Sequence, residues 1–179
     1  METMEWSNEL GRRITLLEGD ITRVPVDAVV NAANSSLAGG GGVDGAIHHA
    51  AGPEVMQELR QYPLGCPTGN AVATGAGRLQ AKYIFHAVGP IYEDGDQGEP
   101  AELAAAYQSC LTLADERDVE TISFPAISTG VYGYPIKDAA RIALREVKEH
   151  LAKPETKLRE VIFVLYGKAA FDTYAALLR

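Results

Sequence analysis

Residues 27–51 read DAVVNAANSSLAGGGGVDGAIHHAA, and this stretch decides the fold. Its first part, 27–32, carries β-branched Val29 and Val30 at the centre of a short apolar run, which predicts a buried strand. A loop with four consecutive glycines, Gly39 to Gly42, follows. From Val43 the period changes: Ile47, Ala50, Ala51, Val55 and Leu59 recur at steps of three and four, as on one face of a helix. Pro53 lacks the N–H that a helix interior needs, so the pattern predicts two helical segments.

The same alternation runs outward in both directions. Upstream, 14–17 is a strand-like run that ends in Gly19-Asp20-Ile21-Thr22. Downstream, strands are predicted over 71–73, 82–88 (KYIFHAV), 121–127 (TISFPAI) and 160–165, the last apolar enough to be central and covered on both faces. Helices are predicted over 101–117 and 171–178. Another begins with Pro135 at its first position and carries Ile136, Ala139, Ala140, Ala143, Leu144, Val147 and Leu151 as one apolar stripe. Residues 93–100 are acidic and glycine-rich and read as a solvated surface loop. No linker or repeat interrupts the pattern. It predicts one α/β domain over 1–179, with helices on both faces of a mostly parallel or mixed sheet and a polar N-terminal segment over 1–13.

Composition narrows the function classes. The chain has 179 residues, 46% hydrophobic and 22% charged, which are globular values and exclude a disordered chain. Its 16 basic and 24 acidic side chains give a net charge of −8, a poor match for duplex nucleic acid, where affinity comes from neutralised phosphates. One small anion remains compatible, since backbone N–H groups bind it without net positive charge. Cys66 and Cys110 form no CxxC pair and are expected to be free, partly buried thiols. Residues 1–13 lack the apolar core of a signal peptide, and no apolar run approaches the roughly 20 residues of a membrane span. The expectation is a cytoplasmic monomer with neither membrane nor nucleic acid as partner.

Ligands of such sheets bind outside the carboxyl ends of strands, so the loops after Leu17, Val30 and Ile127 are expected on one rim. The loop Ser128, Thr129, Gly130, Val131, Tyr132 leads from a strand into a helix, where unpaired N–H groups and the helix dipole favour a phosphate. No GxxxxGK[ST] and no GxGxxG accompanies it, which argues against an ATPase or a nicotinamide dehydrogenase. The glycines at 39–42 let backbone press against a sugar or diphosphate. Asp44 and His48, four apart, share a helix face, and Asn34 reaches the same place. That trio reads either as a hydrolytic set or as a helix-terminus acid beside a satisfied histidine. Asp20 reads either as an acceptor for an exocyclic amine or as a turn residue bonded to Thr22.

Taken together, Gly19-Asp20-Ile21-Thr22, the run from Val30 to Leu37, the run from Gly39 to His48, and the run from Pro125 to Pro135 resemble the macrodomain family, and more narrowly its MacroD-type branch. The resemblance covers residue 14 to the end of the chain. It implies a three-layer α/β/α fold around a mixed sheet and ADP-ribose, or an ester of it, as ligand. It assigns Asp20 and the Ile21 N–H to adenine. Gly40, Gly41, Gly42 and Val43, with Ser128 to Tyr132, fall to the diphosphate and distal ribose, with Tyr132 packed over that ribose. Asn34 and Asp44 fall beside the leaving group, with His48 orienting Asp44. His49 stands where relatives often carry a basic residue. The implied activity removes mono-ADP-ribose from acidic side chains of proteins and deacetylates O-acetyl-ADP-ribose, with no metal and no cofactor. Water attack at the anomeric carbon and at the ester carbonyl both remain open. So do two other functions: an ADP-ribose reader without turnover, and an ADP-ribose 1″-phosphate phosphatase.

Overall fold

The computed structural model describes residues 2–179. Seven strands form one sheet: β1 (Thr3–Ser7), β2 (Arg13–Glu18), β3 (Ala28–Ala32), β4 (Ala71–Gly75), β5 (Tyr83–Ala87), β6 (Thr121–Phe124) and β7 (Glu160–Leu165), in the order β1-β2-β7-β6-β3-β5-β4. The five internal strands, β2, β7, β6, β3 and β5, pair in parallel, while β1 and β4 are antiparallel edges. The sheet is therefore mixed, and β7 is internal as its apolar sequence predicts.

Side chains alternate across the sheet and build two cores. Ala28 and Val30 of β3, Phe85 and Ala87 of β5, and Val161, Phe163 and Leu165 of β7 face helices α3 (Glu99–Glu116), α4 (Ile136–Leu151) and α5 (Lys168–Leu178). Val29, Ile84 and Val164 face the opposite way, against α1 (Gly42–Ala51) and α2 (Pro53–Leu59). The result is the three-layer α/β/α arrangement. On the larger face Phe163 packs between Phe124, Tyr107 and Tyr174, with ring centroids 5.7, 6.3 and 5.3 Å away. Pro53 opens α2, and Gly52 joins the two helices at φ 96, a value a side chain would resist. No helix among the described residues is long and apolar enough to cross a membrane.

Four expectations are corrected. The polar segment 1–13 contains β1, whose pairing runs from Thr3↔Leu17 to Ser7↔Arg13. An edge strand with one solvated face needs few apolar residues, so its alternation of half-buried and exposed positions escapes a hydrophobicity reading. Pro135 stands just before α4 at φ −57 and ψ 126, not at its first position. The acidic stretch 93–100 is not wholly solvated: α3 begins at Glu99, and that side chain is buried. Glu99 Oε2 accepts from the N–H groups of Glu93, Asp94 and Gly95 at 2.9, 3.2 and 3.1 Å, and Oε1 from Gln97 at 2.7 Å. Burial alone would raise this carboxyl; the backbone donors outweigh it and hold its pKa at about 2. Cys66 and Cys110 are free, and both are buried more completely than expected.

Candidate active site

A cavity of about 550 Å³ opens at the carboxyl ends of the parallel strands. One wall is the loop after β3 and the start of α1, comprising Ala32 to Asn34 and Gly40 to Asp44. The facing wall is the segment Pro125 to Tyr132 after β6. Gly89 after β5, and Val164 and Tyr166 at the end of β7, complete it with Ile136 and Ala170.

Each wall has a local physical cause. Asn34 folds the glycine loop on itself. Its Nδ2 donates to Gly39 O at 2.9 Å, and its Oδ1 accepts from Ser36 Oγ at 2.9 Å and from the Ala38 N–H at 3.1 Å. The α1 helix then starts with no side chain capping it, so its first-turn amides lack partners and face the cleft mouth with the positive end of the helix dipole. On the other wall, Tyr134 N–H donates to Ser128 O and Gly133 N–H to Gly130 O, which closes the 128–134 loop. Ser128 sits at φ 69, a strained conformation for a side-chain-bearing residue, and its buried Oγ has no partner. Gly89 makes room for it, since a Cβ there would stand 2.2 Å from Ser128 Oγ. From below, Tyr107 accepts from the Ile127 N–H at 3.3 Å and donates to Pro125 O at 3.4 Å.

Asp44, 7% exposed, lies in the first turn of α1 with its carboxylate at the base of the glycine wall. Oδ1 accepts from Asn31 Nδ2 at 2.8 Å and lies 3.3 Å from His48 Nε2. Oδ2 faces Gly40, where a Cβ would stand 3.4 Å away. The carboxylate thus has one fixed oxygen and one oxygen toward the cleft. A free carboxylate oxygen on the cleft side, on a carboxylate held by its other oxygen, is suited to orient a water beside a bound ligand.

The structure brings Asn34, Gly40, Gly41, Gly42, Val43, Asp44, Ser128, Thr129, Gly130, Val131 and Tyr132 onto one cavity. His48 stands behind Asp44, off the wall. Asp20 and Ile21 also lie off the wall, at the end of β2; the Gly19 N–H donates to Leu165 O, which sets them beside Tyr166. Asp20 accepts there from the Thr22 N–H at 2.9 Å and Thr22 Oγ1 at 2.7 Å, which holds its carboxyl below the usual range. Three residues escaped the sequence reading. Tyr166, 92% exposed, presents an open ring at the far end of the cleft. Asn31 and His86 lie under Asp44, and their signal was a polar side chain inside each of two apolar strands.

The chain belongs to the macrodomain family: a profile of the family, described as Macro domain, matches residues 30–143. The chain is 50% identical over 170 residues to O-acetyl-ADP-ribose deacetylase 1 of Pantoea vagans, covering 93% of this chain and 99% of that protein. It is 48% identical over 174 residues to ADP-ribose glycohydrolase MACROD2 of Xenopus laevis, covering 97% of this chain and 41% of that longer protein. The solved macrodomain of Oceanobacillus iheyensis with ADP superposes with a TM-score of 0.91 at 40% identity, covering 99% of this chain and 95% of that one.

Proposed function

We propose that this protein is a cytoplasmic hydrolase that binds ADP-ribose and cleaves esters of its distal ribose, acting on mono-ADP-ribosylated acidic side chains of proteins and on O-acetyl-ADP-ribose. The observation that carries the reading is Asp44: a carboxylate held by Oδ1, with Oδ2 toward a cleft lined by glycine backbone. A reader module needs the amides but not that carboxylate. Relatives named as an O-acetyl-ADP-ribose deacetylase and an ADP-ribose glycohydrolase, each near half identical, support hydrolysis of this linkage.

In this reading adenine stacks on Tyr166 and its amine donates to Asp20, with the Ile21 N–H beside it. The diphosphate lies between the first-turn amides of α1 and the 130–132 amides. Both amide sets carry partial positive charge, which is how a chain of net charge −8 accepts a dianion. Tyr132 covers the distal ribose, and Asn34 shapes the loop beneath it. Water held at Asp44 Oδ2 cleaves the ester, giving free ADP-ribose and the carboxylic acid; His48 steadies the other oxygen. The test is single-turnover hydrolysis of a protein mono-ADP-ribosylated on glutamate, wild type beside Asp44→Ala. The variant is expected to lose at least about 100-fold in rate while still binding ADP-ribose by calorimetry. Binding without release by the wild type would leave a reader.

A further inference from the structure

Under the glycine wall runs a row of buried polar side chains that lines no part of the cleft and reaches it only through Asp44. Asn31 on β3 and His86 on β5 are register partners in adjacent parallel strands, and both are fully buried. They point to the same side of the sheet as Thr74 on β4, beneath α1. Asn31 Nδ2 donates to Asp44 Oδ1 at 2.8 Å and stands 3.1 Å from His86 Nδ1. His86 Nε2 stands 2.9 Å from Thr74 Oγ1, and that hydroxyl donates to Gly75 O at 2.8 Å.

The donor count leaves one consistent assignment. The hydroxyl proton of Thr74 goes to Gly75 O, so its oxygen must accept from His86 Nε2–H. His86 Nδ1 is then bare and accepts from Asn31. The second Asn31 N–H goes to Asp44. Reversing the amide would press its oxygen against the Asp44 carboxylate, so the observed orientation holds even though it leaves Asn31 Oδ1 buried without a partner. Burial, with the His48 ring stacked 5.8 Å away, pushes the His86 pKa down to about 3, so the ring stays neutral.

We infer that His86 is a positioning residue for the hydrolysis: through Asn31 it pins Asp44 Oδ1 and so selects Oδ2 as the oxygen that meets the cleft. The inference rests on the hydrolase reading above. His86 touches no ligand; it acts through one amide on one carboxylate.

The test uses the full chain and three measurements. In the wild type, nitrogen NMR of labelled histidine is expected to show His86 protonated at Nε2 and bare at Nδ1 from pH 5 to 9. In single-turnover hydrolysis, His86→Phe is expected to lose about tenfold or more in rate, with ADP-ribose affinity within about threefold of wild type. His86→Gln, whose amide oxygen still accepts from Asn31, is expected to recover most of that loss. In an Asp44→Ala background His86→Phe is expected to change the residual rate by less than about twofold, because the carboxylate it positions is gone. Equal losses in both backgrounds, affinity falling in step with rate, or a proton at Nδ1 would each overturn the inference. If His86→Phe does not fold, the tautomer and the His86→Gln rate decide. A wild type that cleaves no ester removes the hydrolase reading and this inference with it; an active wild type with an equally active His86→Phe overturns the inference alone.

Discussion

Gly40 offers a direct probe of the oxygen assignment at Asp44. Its φ lies outside the left-handed region, so alanine fits the backbone there without strain. The added methyl would stand 3.4 Å from Asp44 Oδ2 and 3.9 Å from Asn34 Nδ2, both ordinary contacts. A water hydrogen-bonded to Oδ2 needs to sit about 2.8 Å from it. A methyl carbon in contact with the same oxygen occupies the cleft side of that shell and displaces the water. Gly40→Ala is therefore expected to remove the base contribution to hydrolysis, about 100-fold in single-turnover rate or about 2.7 kcal/mol of activation energy. ADP-ribose affinity by calorimetry should change by less than about tenfold, since the backbone amides stay in place. Unfolding free energy by urea titration should stay within about 1 kcal/mol of wild type. A Gly40→Ala rate within about threefold of wild type, at unchanged affinity, would refute the placement of the water at Oδ2.

Asp20→Ala is expected to weaken ADP-ribose by about 1–3 kcal/mol by calorimetry, because the adenine amine loses a charged acceptor; unchanged affinity would remove Asp20 from the adenine end. Glu99→Gln is expected to lower the melting temperature at pH 7. The Glu99 pKa is depressed from its ordinary 4.5 to about 2, so its contribution is complete above 4.5 and lost as pH falls toward 2; the gap between wild type and variant should close over that window, and a constant gap would count against the backbone cradle. Phe163→Ala, which empties a fully buried site between three rings, is expected to cost about 3–5 kcal/mol in urea unfolding.

Gly40 to Gly42 and the Ser128 to Tyr132 loop were legible as walls of one cleft, because each follows a predicted strand and precedes a helix. Asp44 and His48 were legible as a pair, because a spacing of four puts them on one helix face, and they stand 3.3 Å apart. Tyr166 was not legible: it enters the cleft only because β7 lies beside β2, a pairing between segments far apart in the chain. The β1 edge was missed because its polar residues carry no apolar period, and pairing with β2 defines it.

The sequence by itself determined the order of strands and helices from β2 onward, the two apolar faces of the sheet, the glycine wall and the Asp44–His48 pair. Those features rest on local rules, namely the periods of helix and strand and the backbone freedom of glycine. Only the tertiary structure decided which Asp44 oxygen is bound and which is free. That choice comes from Asn31, 13 residues before Asp44, and from His86, 55 residues beyond Asn31. Parallel pairing of β3 with β5 sets the two side by side, and α1 lays Asp44 over them. A hydrogen bond between strands so distant leaves no periodic trace in either segment; each shows only a polar residue where burial calls for an apolar one.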